Sequence, residues 1–177
     1  MRILLASAVA IAPLMAASGA MAEVVISTAR TTPIATSTAT GSAADNVRLA
    51  NNGSIALTSG TAVSVDTNHS VDLDAGSKIT MEKAADGATA IGVNGGTTGD
   101  VIVGGSISIT DDITEYKDND NDGDQDGPFA NGTDRYGVRV SGPGVRTGNI
   151  LIESTGSISV EGNNSKALSV ESGLKGN

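Results

Sequence analysis

The chain has no cysteine and no tryptophan, and aromatic residues make up only 2% of it. Without cysteine there are no disulfides, so stability must come from packing, backbone hydrogen bonds or a bound metal. With one Phe and two Tyr, few large side chains are available for a single deep globular core. The one histidine, His69, lies in the turn Thr67-Asn68-His69-Ser70, where a solvated residue is expected. The many serines therefore have no Ser/His/Asp set to join. Basic residues are also scarce: 11 Lys and Arg stand against 20 Asp and Glu, a formal net charge of −9. Binding phosphate needs a basic face, and the absence of one argues against a nucleic-acid partner. The glycine-rich run Gly95-Gly96-Thr97-Thr98-Gly99 lacks the lysine and the strand–helix context of a phosphate loop.

Short stretches of Val, Ile, Leu and Ala between turns of Gly, Ser, Thr and Asn fill much of the rest. Helix signals are nearly absent after the N-terminus, and β-branched residues between Gly-rich turns indicate an all-β class. The first residues read differently. Met1-Arg2 gives a positive start, residues 3–17 are apolar apart from Ser7 and Pro13, and Ala20-Met21-Ala22 is a small-x-small cleavage site. Residues 1–22 thus read as a secretory signal peptide, with a mature chain beginning at Glu23. The short run and Pro13 weigh against the alternative of a membrane anchor. Residues 23–45, rich in Thr, Ser and Ala, are expected to form an irregular first turn of the solenoid that caps the end of the core, with extended pieces at Glu23–Ile26 and Pro33–Ala35; a disordered linker is the alternative.

From Asn46 onward the same three-strand unit recurs. Its strands are expected at 47–49, 54–57 and 62–65, then at 71–73, 79–81 and 90–93, then at 101–103, 106–109 and 137–140, and last at 150–152, 156–160 and 167–170. The unit starts Asn46, Ser70, Asp100 and Asn149 are 24, 30 and 49 residues apart, and the third-strand residues Val63, Ile91, Val138 and Leu168 are 28, 47 and 30 apart. Gly-Ser pairs at Gly53, Gly76, Gly105 and Gly156 keep the same order. The long interval marks an insertion at 110–135 between two strands, as is normal for repeat arrays. One such unit cannot bury its apolar face alone. Stacked units can, and the expected fold is a right-handed parallel β-helix of about four three-strand coils over residues 46–177. Ser64, Thr80, Ser108, Arg139 and Ser169 are expected to point outward, because a one-residue slip would exchange the faces. An antiparallel sandwich would not produce the ordered recurrence. Gly176-Asn177 repeats Gly148-Asn149 after 28 residues, which reads as the opening of a further unit in a longer protein.

The insertion holds the one chemical constellation, Asp118-Asn119-Asp120-Asn121-Asp122-Gly123-Asp124-Gln125-Asp126-Gly127. Alternating carboxylates followed by Gly123 match the first half of an EF-hand-type loop, in which ligands converge on one side and the glycine allows the sharp turn. The twelfth position is Phe129 where an EF-hand has Glu, and no flanking helices are apparent. The candidate ligands are Asp118, Asp120, Asp122, Asp124 and Asp126, with Asp134 or a backbone carbonyl completing the shell. All are oxygen donors, which favours Ca2+ over zinc. A solvated acidic loop is the other reading. Phe129 and Tyr136 are candidates to pin the loop to the coil, with a sugar-stacking platform as the functional alternative. Neither Asp72 with Asp74 nor Asp111 with Asp112 has a neighbouring His or basic set that would make it a working acid pair. Asn-x-Ser/Thr triplets at Asn52, Asn68, Asn131 and Asn163 carry no weight in this composition.

Signal peptide, absent cysteine, Gly/Ser/Thr/Asn-rich coils and the repeated Gly-Ser-Ile-x-Ile pattern together resemble the N-terminal passenger region of bacterial autotransporters. The resemblance spans Met1 to Asn177 and rests on pattern and composition. It implies a structural or adhesive passenger at the outer-membrane cell surface of a Gram-negative bacterium, exported through the periplasm by a C-terminal β-barrel of the same polypeptide. Its implied partners are glycans or proteins of a host or neighbouring cell. A secreted β-helix polysaccharide lyase or hydrolase is the competing expectation, since fold alone does not decide function.

Overall fold

The computed structural model describes residues 23–113, 117–124, 126–127 and 130–177. The signal segment read at 1–22 and the aromatic Phe129 lie outside them. In chain order the strands are β1 (Glu23–Ile26), β2 (Ala29–Arg30), β3 (Ile34–Ala35), β4 (Asn46–Leu49), β5 (Ser54–Leu57), β6 (Thr61–Val65), β7 (Val71–Leu73), β8 (Lys78–Met81), β9 (Thr89–Asn94), β10 (Val101–Val103), β11 (Ser106–Ile109), β12 (Tyr136–Ser141), β13 (Val145–Thr147), β14 (Ile150–Ile152), β15 (Ser157–Val160), β16 (Lys166–Val170) and β17 (Gly173–Lys175). They build three five-stranded sheets, ordered β1-β4-β7-β10-β14, β2-β5-β8-β11-β15 and β3-β6-β9-β12-β16. Every pairing is parallel and joins a strand to its counterpart one coil away. Parallel neighbours need a long connection, and here the rest of each coil supplies it. The architecture is a parallel β-helix, as the recurrence predicts.

Alternation sets the core. Val47, Val71 and Val101 stack in one column, Ile55, Ile79 and Ile107 in a second, and Val63, Ile91 and Val138 in a third, all buried. The intervening side chains stand outside the pleat, with Ser64, Thr80, Ser108 and Arg139 partly exposed. Ser169 stands in the same outward column as Arg139 but is buried there, its hydroxyl donating to Glu171 (3.0 Å), which Arg139 also binds.

The register sets the coil count and corrects one expectation. Residues 23–45 are a coil in their own right, because β1, β2 and β3 enter all three sheets, which makes five coils among the described residues. Its irregularity lies in the two-residue β2 and β3 and in the Thr36–Thr38 3₁₀ turn that follows them. The Gly-Ser landmark is also shifted by one in the third coil. Ser54, Lys78, Ser106 and Ser157 share a column, so Ser77 stands level with Gly53, Gly105 and Gly156, while Gly76 occupies a left-handed turn (φ 86°). A fourth, two-stranded sheet, β13 with β17, lies outside the expected set.

The unit starts form a ladder along one corner. Asn46 Oδ1 accepts the Ser70 N–H (2.9 Å), Ser70 Oγ that of Asp100 (3.0 Å), Asp100 Oδ1 that of Asn149 (2.7 Å), and Asn149 Oδ1 that of Asn177 (3.1 Å). A side-chain oxygen at each start thus satisfies a backbone donor of the next coil, which explains why these positions are Asn, Ser or Asp.

The two ends differ. At the N-terminal end Arg30 takes the register position of Ile55, and its guanidinium donates to the Thr32 and Pro33 carbonyls (2.7 and 2.9 Å). Beside it Asp66 accepts hydrogen bonds from Thr36 and Ser37, which fastens the 3₁₀ turn. At the other end the core columns run out in aliphatic side chains: Ile152 is 39% exposed, Val170 45% and Leu168 46%.

Candidate functional site

The chain leaves the coil after Ile109 and rejoins it at Tyr136. In the excursion Lys117 and Asp126 form an antiparallel bridge, with the Asp126 N–H on the Lys117 carbonyl (3.0 Å). The turn above it is closed by Asp118, whose carboxylate accepts the amides of Asp122 (3.2 Å) and Gly123 (3.1 Å). Gly123 has φ 99°, a left-handed conformation that glycine adopts without a Cβ penalty. Asp126 accepts the Asn119 amide (2.7 Å).

This turn brings one carboxylate oxygen each from Asp118, Asp120 and Asp126 to within 4.8 Å of one another. Ligand oxygens on one calcium ion lie 2.3–2.6 Å from it, and so within about 5 Å of each other. The spacing therefore suits one cation. Three carboxylates fall short of the six to eight oxygens calcium takes, leaving the rest to carbonyls and water. The six candidate ligands divide. Asp122 and Asp124 are exposed and lie outside the group, with Asp122 accepting the Asp124 amide (3.2 Å). Asp134 stands at the neck of the excursion, its carboxylate accepting from Asn164 Nδ2 and Thr133 Oγ1.

The neck is a feature sequence reasoning missed. The Asp111 carboxylate accepts the amides of Asp112 (2.8 Å), Asn131 (2.8 Å) and Gly132 (3.0 and 3.1 Å), and pairs with Arg135 Nη1 (2.9 Å). Both side chains are buried, at 1% and 3% exposure. Arg135 also donates to the carbonyls of Glu161 (3.1 Å) and Ala84, one coil above and one below. Burial alone would push the Asp111 carboxyl up, but the Gly132 amide, the Arg135 guanidinium and the Asn131 and Asp112 amides overcome it and hold the group at about 2. The only sequence hint is that an Asp and an Arg flank the insertion, next to the strands on either side.

Other candidate acids are engaged in structural contacts. Asp74 is held bidentately by Arg48 (2.9 and 2.8 Å), and Asp112 pairs with Lys83 (2.8 Å). Burial, then the Asp74 charge, raises the Asp72 carboxyl. His69 is partly buried and shares a hydrogen bond with Thr67 Oγ1 through Nδ1 (2.9 Å). An open groove of about 360 Å³, lined by Thr31, Ala56, Leu57, Thr58, Thr80 and Glu82, offers one carboxylate. Glycoside hydrolysis of the ordinary kind needs two.

No family model, no curated protein and no solved structure matches this chain. What the molecule can do rests on its own geometry: an acidic turn held on a clasped neck, projecting from a stack of coils. Among the described residues no helix is long and apolar enough to cross a membrane.

Proposed function

We propose that the chain is a structural or adhesive β-helical passenger segment of autotransporter type, displayed at a Gram-negative cell surface, and that its inserted loop takes Ca2+. The observation that carries the cation reading is the convergence of Asp118, Asp120 and Asp126 at the tip. Repulsion among these carboxylates favours a bound cation, and calcium suits an all-oxygen donor set. The structural reading draws on the stacked coils and on acids that serve the coils themselves, with Asp74, Asp111 and Asp112 all committed to basic partners. Under this reading the partners are glycans or proteins of a host or neighbouring cell, met by the outward faces and the loop.

Titration calorimetry of the purified chain tests the cation. Calcium should release binding heat, and the melting temperature should rise in calcium and fall back in chelator, because a ligand bound only by the folded state stabilises it. Asp120→Asn with Asp126→Asn should abolish both effects. No heat and identical melting curves with calcium and with chelator would overturn the calcium reading.

A further inference from the structure

The Asp111–Arg135 pair closes the neck of the insertion from both sides. Asp111 follows β11, while Asn131, Gly132 and Arg135 precede β12, and three backbone amides and a guanidinium converge on one carboxylate. Gly132 approaches so closely that a Cβ there would run into the Arg135 guanidinium. Among the described residues the buried Arg135 Nε has no hydrogen-bond partner, and Asp111 is the carboxylate that meets the guanidinium's charge. We propose that this pair is an acid-operated latch on the neck: with Asp111 charged the two ends of the insertion are locked together, and with Asp111 protonated they part while the coils stay stacked.

Protonation removes the charge that balances Arg135 and one of the acceptor positions used by the neck amides. A buried charge left without its partner is strongly unfavourable, and opening the neck to water relieves it. Four other acids face the neck. Glu161 accepts the Asp111 N–H from the coil above (2.8 Å), Asp86 accepts the Thr133 N–H from the coil below (2.9 Å), Asp112 pairs with Lys83, and Asp134 binds Asn164. The third sheet, which carries Ile91 and Val138, is joined from coil to coil by buried aliphatic side chains and parallel backbone hydrogen bonds, which acid leaves unchanged; the Asp100 rung and the Arg48–Asp74 pair lie on the first sheet and its corner. The folded-state carboxyl lies below its ordinary value of 3.8, so the contribution of Asp111 is complete above that pH and is lost as pH falls from 3.8 through about 2.

Amide hydrogen exchange of the full chain, in chelator throughout, tests the latch apart from any calcium effect. Between pH 4.5 and 2.5, after correction for intrinsic rates, protection at Asn131 and Gly132 should fall about 10-fold, with Ile91 and Val138 unchanged. In Asp111→Asn the neck amides should exchange fast at pH 7 and show no step down to pH 2.5. Neck protection that persists at pH 2.5, loss of protection at neck and coil together, or a step of wild-type size in Asp111→Asn would each overturn the proposal.

Discussion

At the scale of single residues, the corner ladder and the neck depend on side chains that satisfy somebody else's backbone. Ser70 is representative: its hydroxyl is the acceptor for the Asp100 amide in the next coil. Ser70→Ala should therefore cost about 1 kcal/mol, whereas Ser64→Ala, on an outward strand position, should stay within about 0.5 kcal/mol. Urea midpoints at unchanged m-value measure the difference. Arg146 shows the same economy in a different place. It is buried (1% exposed) and donates to Thr97 Oγ1 and the Gly99 carbonyl, and burial lowers its guanidinium from the ordinary value. Such contacts span 47 to 50 positions of sequence, as do Asp111–Glu161 and Asp100–Asn149. A motif reading sees only local spacing, and so it sets Asp111 beside Asp112 and finds no basic partner, although Arg135 is 24 positions away in sequence and 2.9 Å away in space.

At the scale of elements, the strand columns make a graded prediction. Ile79 of β8 lies between Ile55 and Ile107 in the core, and Ile79→Ala should cost about 2–5 kcal/mol through lost burial and the cavity left behind. Thr80→Ala, one residue on and facing outward, should cost under about 0.5 kcal/mol by the same denaturation measurement. That contrast is also why the strands were legible from the sequence. Alternation over four residues, repeated with Val63, Ile91, Val138 and Leu168 in register, leaves one pleated solution. Legibility failed where pattern gave way to backbone conformation. Gly76 and Ser77 look like another Gly-Ser pair, but the left-handed φ of Gly76 shifts the column onto Ser77. β2 and β3 are two residues each, too short to show a period. The acidic turn was found from its spacing, but which carboxylates converge depends on how the turn folds, and Asp134 goes to Asn164 instead.

At the scale of the whole molecule, the ends set its behaviour as a free polypeptide. Arg30 and the Thr36–Thr38 turn place polar groups over one end of the core, while Ile152, Leu168 and Val170 stand exposed at the other beside open strand edges. Exposed parallel edges with apolar side chains favour association. In solution the 177-residue chain should therefore self-associate with rising concentration, seen by sedimentation velocity. Leu168→Lys with Val170→Lys should shift it toward monomer, and Val25→Lys at the opposite end should not. The corner ladder has a direction that the apolar columns lack. Each rung offers its acceptor on one coil to the donor of the coil that follows in sequence. A coil thus presents its acceptor before the chain has supplied the donor that fills it, so growth from the N-terminus makes the rungs in the order in which they are used.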